Sequence, residues 1–250
     1  ELDIIILGTS SPDRNYPSDA CSVQAAIGAV NAVAFDISAA CAGFIFAMNI
    51  VEGFFKAGIY KTALIIGAET LSKVTDWSDR GTCVLFGDGA GAAVLKAEET
   101  GIIDMMMGAD GTKGDVLACT SRTVGNFLTG TKPELGFMTM DGQEVFKFAV
   151  RKVPESVMEL LQRTGTKKED IKYYVLHQAN ERIIEAAARR LKEPMEKFPM
   201  TISQFGNTST ASIPLLLDDM IRKDMLKKGD KIIMSGFGAG MTWGAVLMEW

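Results

Sequence analysis

The chain has 250 residues, of which 47% are apolar, and its formal net charge is −5. The acidic balance gives no support to nucleic-acid binding, and the longest apolar stretch, Ile37–Met48, is shorter than the roughly 20 residues that a membrane-spanning helix needs. Cys21, Cys41, Cys83 and Cys119 show neither the density of a secreted disulfide scaffold nor a metal-ligand spacing, so we expect a reducing compartment and no metal.

The first part of the chain predicts alternating strands and helices. The predicted elements are a strand at Ile4–Leu7, a helix from about Ser18 to Val30, a strand at Ala32–Ile37, an apolar helix from Cys41 to about Lys56, a strand at Thr62–Gly67 and a glycine hairpin at Cys83–Leu95. Because the chain has no initiator Met and begins almost inside a strand, we expect it to be the C-terminal part of a longer polypeptide.

The last part of the chain predicts the same alternation. Its elements are a strand at Tyr173–Leu176, a helix at Glu181–Leu191, a short strand at Lys197–Thr201, a helix at about Ile213–Lys223 and a second hairpin at Lys231–Leu247. Between the two parts, residues 101–140 are rich in loops, and a helix at about Asp141–Thr164 is interrupted by Pro154.

The two ends of the chain repeat one spacing. Leu7 precedes Cys41 by 34 residues, and Leu176 precedes Asn207 by 31 residues. This similarity predicts an internal duplication of the α/β class, in which Cys41 and Asn207 occupy equivalent strand-to-helix junctions. We therefore expect an N-terminal half at residues 1–100, a connecting excursion with a helix at 101–164, and a C-terminal half at 165–250.

Cys41 is the first candidate for chemistry. It precedes a helix that is apolar almost all round, and the positive end of a helix dipole favours a thiolate. The alternative is a small buried residue among alanines. Cys21, Cys83 and Cys119 have no matching partner in the sequence, so we interpret them as structural.

His177 is the only histidine of the chain, so it is the single imidazole available for catalysis near neutral pH. It follows a buried strand, where α/β proteins place their sites. Asn207 is the third candidate, although it, Thr208 or Ser209 could merely cap the next helix. Together with Cys41, these residues indicate a thiol-based acyl-transfer enzyme.

The segment Gly87–Ala92 matches the Gly-x-Gly-x-x-Ala form of the dinucleotide fingerprint. That fingerprint must open a helix, whereas Ala92–Leu95 continues as a predicted strand. We therefore reject nucleotide binding there, and the glycines of both hairpins are explained by tight turns and close backbone approach.

Six segments of the chain, in order, resemble β-ketoacyl-acyl carrier protein synthase III: Ala39–Phe44, Arg80–Thr82, Phe86–Ala92, His177–Asn180, Gly206–Ser209 and Gly236–Gly244. The resemblance implies a thiolase-like fold, with two duplicated α/β halves in a five-layer α-β-α-β-α arrangement and the N-terminal part missing from this chain. It also implies a homodimer. The cytoplasm is the expected location by default, and a protein of the plastid stroma that has lost its transit peptide would give the same sequence.

The resemblance implies a decarboxylative Claisen condensation of an acyl-CoA primer, acetyl-CoA first, with malonyl-acyl carrier protein. Cys41 would carry the acyl group, and His177 and Asn207 would donate hydrogen bonds to the malonyl thioester oxygen. The backbone N–H groups of Cys41 and Ala239 would form the oxyanion hole. Coenzyme A enters as a thioester substrate, so no cofactor is implied. Neither a membrane nor a nucleic acid is implied as a partner.

The resemblance also implies binding residues. Those for coenzyme A and pantetheine are Arg80, Gly142 and Asn180; those for the acidic carrier protein are Lys147, Arg182, Arg189 and Arg190; and those for the acyl pocket are Tyr16, Phe86, Phe146 and Phe237. Tyr16 would reach the pocket of the partner subunit. The basic residues could instead form an ordinary solvated helix face.

Three alternatives remain at this point. One is a related condensing enzyme with another acyl donor or acceptor, such as a starter enzyme of secondary metabolism. Another is a protein similar to hydroxymethylglutaryl-CoA synthase, which needs an additional glutamate that the sequence does not identify. The last is a homologue that binds the carrier protein without turnover.

Overall fold

The structure is a computed structural model that describes all 250 residues. Its strands are β1 (Ile4–Gly8), β2 (Val33–Ile37), β3 (Thr62–Glu69), β4 (Gly89–Lys96), β5 (Ile102–Ala109), β6 (Leu117–Cys119), β7 (Met138–Met140), β8 (Ile171–Leu176), β9 (Lys231–Gly238) and β10 (Thr242–Glu249). Its α-helices are α1 (Asp19–Ala26), α2 (Gly43–Lys56), α3 (Gly142–Thr164), α4 (Glu181–Leu191), α5 (Ile202–Phe205) and α6 (Ser212–Arg222). No helix combines the length and the apolar character needed to cross a membrane.

Two four-stranded sheets form the framework. The first has the order β2-β1-β3-β4, with β4 antiparallel to β3 and the other pairs parallel. The second has the order β5-β10-β9-β8, in which β8 and β9 are parallel and β10 is antiparallel to both of its neighbours. The strands β6 and β7 form a separate two-stranded ribbon.

The helices form three layers around the two sheets. The apolar faces of α2 and α6 pack between the sheets, where Ile6 of β1, Ile45 of α2 and Met234 of β9 belong to one buried core. Helix α1 covers the outer face of the first sheet, and α3 and α4 cover the outer face of the second. This order confirms the predicted five-layer α-β-α-β-α fold.

Two predicted elements of the sheets are wrong. The segment Cys83–Leu95 is not a hairpin, because residues 83–85 form turns, Phe86 makes an isolated bridge with Asn207, and only β4 is a strand, whose partner is β3. Lys197–Thr201 is not a strand, since Lys197 ends a short 3₁₀ helix and the following residues pair with no strand. The strand at Gly89–Lys96 confirms that the glycine fingerprint does not open a helix.

Helix α3 is continuous through Pro154, contrary to the predicted interruption. A proline has no N–H to donate, so the carbonyl four residues earlier, at Val150, loses its helical partner. The Arg190 guanidinium of α4 donates to that carbonyl oxygen at 3.1 Å. The neighbouring helix therefore satisfies the group that Pro154 leaves unpaired.

The predicted connecting segment 101–164 is not separate in space. Strand β5 is the edge strand of the second sheet and pairs with β10, while α3 packs on the outer face of that sheet. The division of the chain at residues 100 and 164 stays a prediction, but the parts that precede residue 165 contribute directly to the C-terminal layers.

The duplication is present, with a different residue opposite Cys41. Ala40 and Ser209 both have left-handed backbones, with φ of 46° and 49°. Each begins a 3₁₀ helix, Ala40–Ala42 or Ser209–Ala211, that leads into a central helix. Leu176 precedes Thr210 by the same 34 residues that separate Leu7 from Cys41. The residue equivalent to Cys41 is therefore Thr210, and the predicted equivalence with Asn207 is wrong by three positions.

Candidate active site

Cys41 lies at the entrance of the central helix α2, directly under strand β9. Its side chain is buried, with 7% of its surface exposed. The approach to β9 is so close that an ideal Cβ at Gly238 would lie 2.5 Å from the backbone nitrogen of Cys41. Glycine is required at position 238, because any other residue would force the two segments apart. The backbone N–H groups of Cys41 and Ala239 donate to no backbone carbonyl of the chain.

The surroundings of Cys41 favour the neutral thiol over the thiolate. Burial raises its pKa to about 12, the charge of Glu69 adds to that rise, and a hydrogen bond with the Ser209 hydroxyl opposes it. The sequence predicted a thiolate favoured by the helix dipole. The shift runs in the opposite direction, because burial disfavours the charged form of the thiol.

His177 follows β8 and is also buried, with 2% of its surface exposed. The Ser212 hydroxyl lies 2.6 Å from its Nδ1 and accepts a hydrogen bond from the N–H of Gln178. No other acceptor is near the Ser212 proton, so this hydroxyl donates to Nδ1 and the imidazole carries its proton on Nε2. Burial lowers the pKa of His177 to about 3. His177 is therefore a neutral hydrogen-bond donor.

Asn207 is held by both its backbone and its side chain. Its backbone N–H donates to the carbonyl of Leu85, and its own carbonyl accepts from the N–H of Gly87. Its side-chain Oδ1 accepts from the N–H of Ser209 at 2.8 Å. This bond fixes the orientation of the amide, so that Nδ2 is the group left to donate to a substrate.

Two cavities meet at Cys41. The first, which we call the His177 cavity, has a volume of about 220 Å³ and contains His177, Asn207 and Cys41 in its wall. The second, the Met138 cavity, has a volume of about 410 Å³ and an apolar lining that includes Leu71, Leu117 and Met138. The thiol thus faces a polar chamber with hydrogen-bond donors on one side and an apolar chamber on the other.

The predicted binding residues divide between these cavities. Those in the wall of the His177 cavity are Gly142, Asn180, Phe86, Phe146 and Phe237, whereas Phe86 and Ala239 line the Met138 cavity. Phe146 and Phe237 were predicted as walls of the acyl pocket, yet they lie with the predicted pantetheine residues instead. The ring of Phe237 meets that of His177 edge to face, with 5.4 Å between centroids.

Arg80 and Tyr16 lie outside both cavities. Arg80 is exposed and precedes Gly81, which lines the His177 cavity, so its side chain is one residue from that wall. Tyr16 is 86% exposed and contacts neither cavity of its own chain. Their predicted roles with coenzyme A and with a partner subunit stay predictions.

The predicted basic residues are exposed on α3 and α4, but they are not equally free. Lys147 forms an ion pair with Glu144 at 2.7 Å, and Arg189 forms one with Glu185 at 3.6 Å. Arg190 donates to the Val150 carbonyl. Arg182 has no ionic partner and stands beside Ile183, which lines the His177 cavity.

The sequence missed four side chains that hold the candidate residues in place. Ser209 contacts the Cys41 thiol, Ser212 orients His177, and Glu69 and Thr210 form a buried pair. A signal for three of them was present, since four of the five residues in Thr208–Ser212 carry a hydroxyl group, and the structure buries all four. Glu69 gave no signal, because its partners are at least 58 residues away in the sequence.

Comparisons with known proteins agree with this geometry. The family model described as 3-oxoacyl-[acyl-carrier-protein] synthase III matches residues 35–111, and the model of its C-terminal part matches residues 161–250. The β-ketoacyl-[acyl-carrier-protein] synthase III of Clostridium novyi is 53% identical over 252 residues, which cover 100% of this chain and 78% of that protein. The corresponding protein of Clostridium acetobutylicum is 51% identical with the same coverage.

Solved structures give the same result. The crystal structure of 3-oxoacyl-[acyl-carrier-protein] synthase III from Aquifex aeolicus aligns with a TM-score of 0.91 at 45% identity, covering 100% of this chain and 77% of that one. The enzyme from Thermus thermophilus aligns with a TM-score of 0.92 at 41% identity and the same coverage. The chain therefore belongs to the β-ketoacyl-[acyl-carrier-protein] synthase III family of condensing acyltransferases with the thiolase fold.

Proposed function

We propose that this enzyme condenses an acyl-CoA primer, acetyl-CoA first, with malonyl-acyl carrier protein through an acyl-Cys41 intermediate. The observation that carries the proposal is the position of Cys41 at the junction of the two cavities, with His177 and Asn207 in the wall of one of them. This arrangement disfavours a silent carrier-protein-binding homologue, because such a protein has no need of three converging reactive groups.

In the first half-reaction, the sulfur of Cys41 attacks the thioester carbonyl of the primer. A bond forms between Sγ and the acyl carbon, the bond between that carbon and the coenzyme A sulfur breaks, and the thiol proton leaves with coenzyme A. The N–H groups of Cys41 and Ala239, which donate to no backbone carbonyl of the chain, donate to the oxyanion.

In the second half-reaction, malonyl-acyl carrier protein loses CO₂ and leaves an enolate. Nε2–H of His177 and Nδ2–H of Asn207 donate to the enolate oxygen, which is where the negative charge develops. The carbanion carbon attacks the acyl-Cys41 carbonyl, the carbon–sulfur bond to Cys41 breaks, and the thiolate takes up a proton. A neutral imidazole with its proton on Nε2 suits this role, since that nitrogen donates a hydrogen bond and cannot act as a base toward the malonyl group.

The remaining assignments belong to the same proposal. Arg80, Gly142 and Asn180 would contact coenzyme A and pantetheine, with the carrier protein on the side of Lys147 and Arg182. The volume of the Met138 cavity, about 410 Å³, is larger than an acetyl group needs, so longer primers are included in the test. A homodimer in the cytoplasm is also proposed, and the bacterial origin of the relatives named above favours the cytoplasm over a plastid.

The test separates the two half-reactions by mass spectrometry. Incubation with acetyl-CoA alone should place one acetyl group on Cys41, and Cys41→Ser should abolish it, whereas the matched control Cys21→Ser on helix α1 should retain it. His177→Ala and Asn207→Ala should keep this acylation and lose malonyl decarboxylation. An adduct on Cys119, the other thiol of the Met138 cavity, or full condensation by Cys41→Ser would contradict the proposal. Butyryl-CoA and isobutyryl-CoA measure the range of primers.

A further inference from the structure

Thr210 is a residue of the C-terminal half that is inserted into the N-terminal half. Only 1% of its surface is exposed. Three glycines make room for it: an ideal Cβ at Gly8 or Gly43 would lie 2.8 or 3.0 Å from its methyl carbon, and one at Gly67 would overlap its carbonyl oxygen. The fold therefore contains a socket shaped for this threonine.

Glu69 is the polar partner of Thr210 in that socket. It lies at the end of β3 and is 4% exposed. Its Oε2 accepts from the N–H of Ser10 at 3.0 Å and from the hydroxyl of Ser11 at 2.6 Å, with the hydroxyl of Thr9 at 3.4 Å. Its Oε1 accepts from the Thr210 hydroxyl at 2.9 Å. The carboxylate thus joins the loop after β1 to the C-terminal half.

The same Thr210 hydroxyl lies 2.8 Å from the carbonyl oxygen of Ala40. Its single proton is therefore shared between that oxygen and Oε1 of Glu69 in a three-centre hydrogen bond. Ala40 has φ of +46°, a conformation that an alanine adopts only at an energetic cost. Because the peptide bond between Ala40 and Cys41 is planar, its C=O and N–H point in opposite fixed directions. A donor that holds the Ala40 carbonyl also sets the direction of the Cys41 N–H.

We propose that Glu69 and Thr210 position the Cys41 nucleophile and its backbone N–H by anchoring the carbonyl of Ala40. Neither residue touches the substrate, and both act through the turn that carries the thiol. The inference rests on the proposed role of Cys41 as the acylated residue. It adds to that role a pair of positioning residues, of which one comes from each half of the duplication.

A merely structural pair would hold the two halves together and do nothing more for catalysis. Its loss would lower the melting temperature and reduce acylation and decarboxylation by the same factor. A positioning pair has a different signature, because malonyl decarboxylation depends on His177 and Asn207, whereas acylation depends on the Cys41 turn. The ratio of the two half-reactions is therefore the measurement that separates the explanations.

The first variant is Thr210→Val, which keeps the methyl group in the socket and removes only the hydroxyl. Acetylation of Cys41 by acetyl-CoA should slow by about tenfold, which corresponds to the loss of one buried hydrogen bond. Malonyl decarboxylation should stay within about twofold. Thr210→Ser keeps the hydroxyl and should retain most of the acetylation rate. Equal losses in both half-reactions, or no loss in either, would overturn the proposal.

Glu69→Gln is the second variant, since its amide fits the same space without the charge. The amide oxygen can accept from Ser10 and Ser11, and the amide nitrogen can donate to the Thr210 hydroxyl, whose proton then goes to Ala40. Acetylation of Cys41 should slow less than in Thr210→Val, because the hydrogen bonds that anchor the Thr210 hydroxyl are kept. Alkylation of Cys41 by iodoacetamide at pH 8 should become faster, because the Glu69 charge contributes to the raised pKa of the thiol. Slower alkylation would contradict the conclusion that the Glu69 charge raises the pKa of Cys41.

Ser156→Ala supplies the control for lost buried hydroxyls. The Ser156 hydroxyl donates to a backbone carbonyl at 2.8 Å within α3, far from the Cys41 turn, so its loss should alter stability and leave the ratio of half-reactions unchanged. If the unaltered enzyme does not acetylate Cys41 at all, the proposed function itself fails. If it does so and Thr210→Val does so equally fast, only the positioning pair is rejected.

Discussion

The turn around Cys41 and the turn around Thr210 have the same backbone and opposite surroundings. Each begins with a left-handed residue, continues as a 3₁₀ helix and leads into a central helix. Cys41 faces two open cavities, whereas Thr210 is enclosed and hydrogen-bonded to Glu69. The duplication therefore supplied two equivalent junctions, of which one carries the thiol and the other supports it.

The residues next to the two turns also differ: one half has polar side chains at positions where the other half has glycine. At the positions where the C-terminal half has His177 and Ser212, which share a hydrogen bond, the N-terminal half has Gly8 and Gly43. Those two glycines leave the space that Thr210 fills. The N-terminal half thus provides the nucleophile and the socket formed by its glycines. The C-terminal half provides the hydrogen-bond donors and the Thr210 side chain that occupies the socket.

The largest effect is expected when the thiol is moved to the equivalent turn. The double variant Cys41→Ser/Thr210→Cys should form no acetyl adduct with acetyl-CoA, because position 210 faces neither cavity. Intact-mass and peptide mapping measure the result, with the unaltered enzyme as the positive control. An adduct on the thiol introduced at position 210 would show that the surroundings of the two turns are interchangeable.

A matched pair of glycines tests the packing of the two turns. An alanine at Gly67 would overlap the Thr210 carbonyl oxygen, whereas the nearest atom to a Cβ at the equivalent Gly236 is the Cys41 carbonyl oxygen at 3.3 Å. Overpacking against backbone costs up to about 3 kcal/mol, so Gly67→Ala should lose that amount of unfolding free energy. Gly236→Ala should lose less than about 1 kcal/mol. Urea denaturation measures the free energy of unfolding of both variants. Equal decreases in that free energy would contradict the predicted difference in packing between the two turns.

The smallest expected effect concerns the buried imidazole that only one half has. Because burial lowers the pKa of His177 to about 3, the unfolded chain binds a proton below its ordinary pKa of about 6.5 while the folded chain does not. Stability is therefore lost as the pH falls from about 6.5 toward 3. Between pH 7 and pH 5 the loss from this residue should be about 2 kcal/mol.

His177→Gln provides the reference for that measurement. The variant lacks the titrating ring, so its free energy of unfolding should fall less between pH 7 and pH 5 than that of the unaltered chain. The difference between the two slopes isolates this residue from the carboxylates, which titrate in both. Parallel slopes would mean that His177 is protonated in the folded state at pH 5.

Much of the fold followed from local patterns. The apolar runs at β1 and β8, the helix Glu181–Leu191 and the repeated strand-to-helix spacing were all visible in the sequence, and the resemblance named the layers. The errors came from residues whose partners are distant. The helix through Pro154 depends on Arg190, 40 residues away in the sequence from the carbonyl that it binds, and no local pattern contains that contact.

The candidate site divides in the same way. Cys41, His177 and Asn207 were predicted because each belongs to a recognisable motif at the end of a strand. The structure brings all three to the wall of the His177 cavity. The pKa of Cys41 was predicted with the wrong sign, since a helix end is visible in sequence and burial is not. Glu69 was missed because a single glutamate at the end of a strand has no distinguishing neighbour.

The single histidine of this chain, whose tautomer is set by the hydrogen bond with Ser212, makes the protein convenient for spectroscopy. A protein with one histidine gives one set of imidazole signals, so selective ¹⁵N-histidine labelling yields a two-peak nitrogen spectrum that needs no assignment. The separation of those peaks reports whether the ring is neutral with its proton on a single nitrogen, and couplings to the ring C–H protons identify that nitrogen. Substrate binding and loading of the thiol can then each be followed at the reacting centre, in solution and without a reporter group.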